Sequence, residues 1–393
     1  MIKLKIGVDA TFTPNGGSLG HLKAFLEEFS KLIPKSDLIV FVRKENLEIL
    51  GEDILRNCSL HIVKSASWGN LSRIFWVQFI LPISAKVNDI DVLFCPGNFS
   101  PIFKTTKIKS QWIATIGPFV KEVYSGLSFL EKVLMIINKY LILVSGKTSD
   151  VVIHESGFSK ELFLRDYNFC PDEQFLIECG KDNFFEPNTD ATGIVGDLAL
   201  ISSKDLLCVS HLYPYKNIER LLTAFKEYKI WSDDNVKLYL AGKAVFPAYY
   251  AGLKELVIEL DLDDEVIFCG MVSRDTLRFA YSTCRLFVFP SLCESSGYTL
   301  IEAMSCGSPI LASNTTAMPY TCGNAAEYFE AYKSSDLLLQ MESLLLNDAK
   351  LEEMRHQSLS RASQMIDYEE ATAQFLDIVD TVRHKLNCKG KDV

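Results

Sequence analysis

The 11 cysteines of this 393-residue chain include no Cys-x-x-Cys pair, and none stands in metal-ligand spacing with a histidine. A scattered set of odd number, with several members inside apolar runs, fits reduced, buried thiols in a cytosolic protein. It argues against a disulfide framework and against a zinc site. No stretch reaches the roughly 18 uncharged apolar residues of a membrane span. The nearest run, Val133 to Val144, is broken by Asn138 and Lys139. The opening MIKLKIGVDATF lacks the long apolar core of a signal peptide and reads as a first strand. No internal repeat and no low-complexity tract is present. Gly-x-Gly-x-x-Gly is missing after the first strand, where the chain reads Gly16-Gly17-Ser18-Leu19-Gly20, so the dinucleotide fingerprint is excluded. A basic excess is also missing. Forty Lys and Arg stand against 50 Asp and Glu, a formal net charge of −10, which argues against a broad nucleic-acid surface.

What is present is a globular composition, 48% apolar and 23% charged, in a chain too long for one ordinary core. Short β-rich runs alternate with helical periodicity. Strands are expected at Ile6–Val8, Leu38–Val42, Leu60–Val63, Val92–Phe94, Trp112–Thr115 and Val151–Ile153. After about residue 190 the pattern restarts, with strands at Leu206–Val209, Lys237–Leu240, Val266–Cys269, Leu286–Phe289 and Ile310–Ala312. Helices are expected between them, including Ile218 to Tyr228 and Ala248 to Leu260. Strand–helix alternation implies parallel sheets covered on both faces, and two series imply two α/β domains. The polar stretch Asn188 to Ser203 reads as the hinge. The resulting division is 1–190, 200–368 and a C-terminal helix and tail at 369–393. In that helix Phe375, Ile378, Val379, Val382 and Leu386 share one face and need a surface to pack on.

The most informative stretch is Phe289 to Ala312, FPSLCESSGYTLIEAMSCGSPILA. A strand ends at Phe289-Pro290. A turn of small residues follows, Ser295-Ser296-Gly297. A helix then runs from Tyr298 to Ser305 and is closed by Gly307 and Pro309. Ligands of doubly wound sheets bind beyond the C-terminal ends of the strands, where such turns lie. The N–H groups opening the helix suit a phosphate, and Glu294 and Glu302 supply acceptors for paired hydroxyls.

Glu294, seven intervening residues and Glu302, followed by Ala-Met-x-Cys-Gly-x-Pro, resemble the donor-site signature of glycosyltransferase family 4, retaining enzymes of the GT-B fold. The resemblance implies two facing Rossmann-like domains with a C-terminal helix packing back. The N-terminal domain is then the acceptor side, and the C-terminal one binds a nucleotide-sugar. In this family the first Glu contacts the transferred sugar and the second the ribose hydroxyls; those roles carry to Glu294 and Glu302. The amides of Tyr298, Thr299 and Leu300, after Gly297, fall where the family holds the diphosphate. Cys208 to Phe225, CVSHLYPYKNIERLLTAF, is similar to the family's strand and lysine turn. It aligns Lys216 with the lysine that meets the diphosphate. His211 stands where the family usually has Arg, and a neutral imidazole clamps phosphate less firmly than a guanidinium. Gly16-Gly17 matches the loop that approaches the donor phosphates, since glycine permits close backbone approach.

Two further departures lie on the acceptor side. Ile116-Gly117-Pro118 replaces a usual His-Asp pair, and Tyr320 follows Pro319 where Glu is common. The Asp-x-Asp triplets Asp89-Ile90-Asp91 and Asp261-Leu262-Asp263 read as a strand start and a polar turn rather than as metal ligands.

The resemblance thus implies a metal-independent hexosyltransferase that needs no cofactor. It would move a sugar from a UDP- or GDP-sugar to a glycan or lipid-linked glycan in bacterial surface polysaccharide synthesis, O-antigen or capsule. The expected location is cytoplasmic. The apolar segment 128–147, with Lys132, Lys139 and Lys147 near one helical face, is a candidate peripheral contact with a membrane; a buried helix with a wet lysine stripe is the simpler account. Alternatives are an inactive binding or scaffold subunit and a sugar-nucleotide epimerase.

Overall fold

A computed structural model describes residues 4–12, 17–63, 69–232 and 235–389. The chain forms two compact units. The first comprises residues 1–119, 128–180 and 366–393; the second comprises 120–127 and 181–365.

The first unit holds a parallel sheet of seven strands: β1 Ile6–Ala10, β2 Leu38–Arg43, β3 Ser59–Val63, β4 Val92–Cys95, β5 Ile108–Ile113, β6 Val151–His154 and β7 Gln174–Leu176. Their spatial order is β3-β2-β1-β4-β5-β6-β7. The second unit holds six: β8 Leu206–Val209, β9 Leu238–Ala241, β10 Val266–Gly270, β11 Leu286–Phe289, β12 Ile310–Ser313 and β13 Ala326–Phe329, ordered β10-β9-β8-β11-β12-β13. All pairings are parallel. The central strands are buried end to end, because crossover helices cover both faces and no position faces water.

Each sheet reverses its strand order once, at β1/β4 and at β8/β11. At the second reversal Leu206 pairs with Leu286 and Leu207 with Phe287, so the loops after β8 and β11 leave the sheet side by side. That crevice is where an open parallel sheet binds its ligands.

In the first unit the helices Gly17–Leu32 and Tyr368–Lys389 cover one sheet face. Phe375 lies 4.7 Å from Phe94 and 5.7 Å from Phe29, ring to ring. Ala371, Phe375 and Val379 are fully buried, so the apolar stripe of the last helix packs on the first sheet. The opposite face is covered by Trp76, Val77, Leu81, Ala85, Ile142 and Phe163 from three other helical segments. No helix among the described residues is long and apolar enough to cross a membrane.

The structure divides the chain elsewhere than at 188–203. The chain crosses between units at 119–120, 127–128, 180–181 and 365–366. The stretch 188–203 is polar in sequence but is tied to the second unit. The Asn188 N–H donates to Ser282 Oγ at 2.9 Å, and Leu198 and Ile201 are buried. The expected strand Trp112–Thr115 lies earlier, at Ile108–Ile113, and β7 and β13 had no counterpart in the sequence reading. Gly16 falls outside the described residues; Gly17 is the first residue of the helix Gly17–Leu32.

Candidate active site

Two loops build the site, both at the strand reversal of the second sheet. After β8 the chain runs through His211 and a short 3-10 turn, Pro214–Lys216. Asn217 then adopts a left-handed conformation (φ 63°) and opens the helix Ile218–Trp231. Asparagine tolerates this region because its short amide bonds locally. Here the amide reaches across instead: Asn217 Nδ2 donates to the carbonyls of Pro290 at 3.0 Å and Ala331 at 2.9 Å. The Leu292 N–H donates to the Tyr215 carbonyl at 2.8 Å. The lysine turn is thereby laced to the loop after β11.

That lacing sets Lys216 against Glu294. Lys216 Nζ donates to Glu294 Oε1 at 2.5 Å, and the two side chains are only 12% and 14% exposed. The ammonium also lies 5.2 Å from the Tyr215 ring centroid and 5.4 Å from that of Phe289. Burial opposes its charge, but the Glu294 carboxylate outweighs burial and holds the Lys216 pKa above its ordinary range.

Glu294 is fixed from behind by the loop after β12. Its backbone N–H donates to Thr316 Oγ1 at 2.9 Å. Thr316 has φ 49°, a costly conformation for a β-branched residue, and it sits directly against the site. Thr315 Oγ1 donates to the Ser291 and Leu292 carbonyls at 3.3 Å, and Thr321 Oγ1 to the Ser296 carbonyl at 2.5 Å. A row of hydroxyls thus clamps the loop that carries Glu294.

Gly297 turns that loop into the helix Tyr298–Ser305. Its φ is 77°, a left-handed conformation that side chains rarely adopt and that glycine takes at no cost. The Leu300 N–H donates to the Gly297 carbonyl at 2.9 Å, and the Leu300 side chain is buried. That bond engages the Leu300 amide within the turn, so it is not held ready for an anion. One turn on, Glu302 Oε2 accepts from the buried Tyr281 hydroxyl at 3.1 Å. Burial raises the Glu302 pKa from 4.5 to about 7, against the pull of that hydroxyl.

His211 lies at the end of the lysine loop. Its Nδ1 accepts the Lys243 N–H at 3.2 Å, which leaves the proton of the neutral ring on Nε2, a donor. Burial first, then the charges of Lys216 and Lys243, lower its pKa, so it is neutral at pH 7. Gly242 brings the two loops together: a Cβ there would overlap the Ser210 carbonyl. Lys243, exposed beside His211, is a cation that the sequence reading did not name.

Lys216, Glu294, Glu302, Gly297 and the helix opening therefore belong to one pair of neighbouring loops. Thr316, Tyr281 and Asn217 escaped the sequence reading, and only Asn217, in a Pro-x-Lys-Asn turn, carried a local signal. Elsewhere, Asp91 accepts the Lys5 N–H at 3.0 Å and pairs with Lys107 at 2.6 Å, a structural role. Asp261 occupies a left-handed turn with φ 54°. Tyr320 is exposed, and the Gly117 N–H donates to Thr115 Oγ1 at 3.1 Å.

Two outcomes follow. Removing either partner of the Lys216–Glu294 pair strands a mostly buried charge. Lys216→Met and Glu294→Gln should each cost about 2 kcal/mol in urea unfolding, and the double variant should recover about half of the summed loss. Additive losses would show that the two charges are uncoupled. A carboxyl whose pKa rises on folding binds its proton more tightly in the native state, so its contribution to stability falls as pH rises from 4.5 to about 7 and is level above. Glu302→Gln should therefore raise the melting temperature relative to the unsubstituted protein at pH 8 and not at pH 4.5. An equal change at both pH values would rule out the raised pKa.

Residues 201–361 match the family model described as Glycosyl transferases group 1. The serotype-specific mannosyltransferase WbdA of Escherichia coli is 31% identical over 160 residues, covering 40% of this chain and 20% of WbdA. The O-antigen chain mannosyltransferase RfbU of Salmonella typhimurium (strain LT2) is 27% identical over 210 residues, 53% of this chain and 51% of RfbU. The chain thus spans about a fifth to a half of the length of these curated relatives. Among solved structures, Anabaena HepE in complex with UDP and glucose superposes with a TM-score of 0.72 at 15% identity, covering 96% of this chain and 100% of that one. Sucrose-phosphate synthase from Thermosynechococcus elongatus gives a TM-score of 0.76 at 18% identity, covering 96% and 99%. The chain has the GT-B fold, and its residues 201–361 are similar to the glycosyl transferases of group 1.

Proposed function

We propose that this chain is a retaining glycosyltransferase of family 4 that transfers a hexosyl group from a UDP- or GDP-sugar to a glycan or lipid-linked glycan of a bacterial surface polysaccharide. The observation that carries this reading is the meeting of Lys216, Glu294 and the opening of the helix Tyr298–Ser305 at the strand reversal, with Glu302 one turn further on. The mannosyltransferase names of WbdA and RfbU favour mannose as the transferred sugar, and the UDP bound in HepE agrees with a nucleotide donor.

In this reaction the bond from the anomeric carbon to the diphosphate breaks through an oxocarbenium-like state. The leaving group gathers negative charge. Lys216 and the opening of the helix Tyr298–Ser305 neutralise it, with His211 Nε2–H as a further donor. This neutralisation by protein groups requires no metal ion. Glu294 receives the hydroxyls of the transferred sugar, and its tie to Lys216 couples sugar position to phosphate position. Glu302 accepts the ribose hydroxyls. The new bond forms from the acceptor oxygen to the same face of the anomeric carbon, and the acceptor proton passes to the departing diphosphate, so no separate base is assigned. Gly16 and Gly17 are proposed to let the backbone approach the donor.

A nucleotide that binds only the folded state raises the melting temperature. UDP or GDP without metal should do so, and the shift should vanish in Glu302→Ala. It should also shrink in the intact site as pH falls below about 7, where Glu302 becomes protonated and accepts less well. No shift with any nucleotide at millimolar concentration would favour a binding or scaffold role instead.

A further inference from the structure

No cysteine stands in metal-ligand spacing with a histidine along the sequence, but the fold of the first unit brings one to a histidine and a carboxylate. His21, Glu155 and Cys179 each offer one ligand atom: an imidazole nitrogen, a carboxylate oxygen and a thiol sulfur. The three atoms lie within 4.8 Å of one another. All three residues are buried, at 4%, 3% and 1% exposed. The sheet explains the meeting. β6 pairs with β7 so that His154 stands opposite Leu176, and the Ile177 N–H donates to the His154 carbonyl at 3.0 Å. Glu155 and Cys179 therefore leave the sheet side by side. His21 reaches them from the helix Gly17–Leu32.

The group is held from behind. The His21 ring lies 4.7 Å from the Phe25 ring, 5.0 Å from Trp112 and 5.7 Å from Tyr368, centroid to centroid, so packing fixes its plane. Trp112 Nε1 donates to Glu155 Oε1 at 2.9 Å. Orienting bonds of this kind surround the ligands of bound metals. His21 Nε2 stands 3.8 Å from the same oxygen. That is wider than a hydrogen bond and close to the spacing of about 3.3 Å between nitrogen and oxygen ligands of a tetrahedral zinc ion. The adjacent His154 is committed elsewhere. Its Nδ1 is 2.9 Å from Ser159 Oγ, and its Nε2 is 2.7 Å from Gln174 Oε1.

The donor set selects the ion. Thiolate and imidazole favour zinc over magnesium or calcium. A thiolate and a carboxylate together carry two negative charges, which a divalent ion cancels, and buried charge is tolerated when it is balanced in this way. We propose that His21, Glu155 and Cys179 bind a structural zinc ion. No other His, Cys, Asp or Glu among the described residues joins the group, so a water takes the fourth position. Drawing the ligand atoms together to a tetrahedral separation of about 3.5 Å takes shifts of roughly 1 Å, within the reach of side-chain rotation. Cys179 comes just before the crossing at 180–181, and Tyr368, against His21, just after that at 365–366. The ion thus ties the start of the helix Gly17–Leu32 to the first unit's chain at both crossings. It lies wholly within the first unit and is independent of the donor site and of the reaction assigned to it.

The test is metal analysis of the full chain, produced in zinc-supplemented medium and freed of loosely held metal by desalting. About one zinc ion per chain should remain. After exchange for cobalt(II), the thiolate should give a sulfur-to-cobalt charge-transfer band in the near ultraviolet. Cys179→Ser should lose both the zinc and the band, and His21→Gln should lose the zinc. Cys170→Ser/Cys388→Ser, at the exposed cysteines, should keep both. Trp112→Phe keeps an aromatic ring and removes the indole N–H, and it should bind zinc roughly tenfold more weakly. Zinc should raise the melting temperature of the unsubstituted chain and not that of Cys179→Ser. An unsubstituted chain that holds no zinc and gives no band with cobalt would overturn the proposal. So would zinc or a band that Cys179→Ser retains in full.

Discussion

The Lys216–Glu294 ion pair is the constraint on which the rest of the second unit's site depends. Its partners are separated by 78 positions, on loops leaving different strands. Neither charge is stable out of water alone, so each requires the other to be in place. Everything nearby holds the two loops in register: the Asn217 amide across to Pro290, Tyr215 accepting from Leu292, and Thr316 holding the Glu294 backbone from the far side. Two of these three residues, Asn217 and Thr316, have positive φ. For asparagine that conformation costs little, but for the β-branched Thr316 it is strain that the surrounding bonds enforce.

The electrostatic states of the site follow from the same packing. Lys216 is kept charged by Glu294. His211, flanked by two lysines and half-buried, is kept neutral with its proton on Nε2. Glu302, buried against Tyr281, is poised near pH 7. An ammonium, an imidazole N–H and helix-opening amides form a donor-rich half, and two carboxylates form an acceptor half. That division suits a ligand with phosphate at one end of its chemistry and hydroxyls at the other.

Much of this was legible in the sequence, and the exceptions have physical causes. The buried strands around the second reversal read as apolar runs, and the helix Tyr298–Ser305 was bounded correctly by its flanking glycines and proline. β5 was misplaced because its first half reads as polar: Lys109, Ser110 and Gln111 are buried, and their side chains bond Pro101, Leu93 and Asn98 respectively. β7 and β13 are edge strands of three and four residues with mixed burial, too short to show a period. The boundary between units falls at 180–181, ahead of 188–203, where the polar residues bond within turns and to Ser282 of the second unit. Lys216 and Glu294 were each found by resemblance, but their pairing and the role of Thr316 depend on tertiary contacts that no local pattern encodes.

The most direct test of the account is a crystal structure of the chain with a bound nucleoside diphosphate. The account predicts the diphosphate on the amides of Tyr298 and Thr299 with Lys216 Nζ in hydrogen-bond reach, and both ribose hydroxyls on Glu302. A nucleotide seated away from these residues, or bound with Glu302 turned from the ribose, would contradict it.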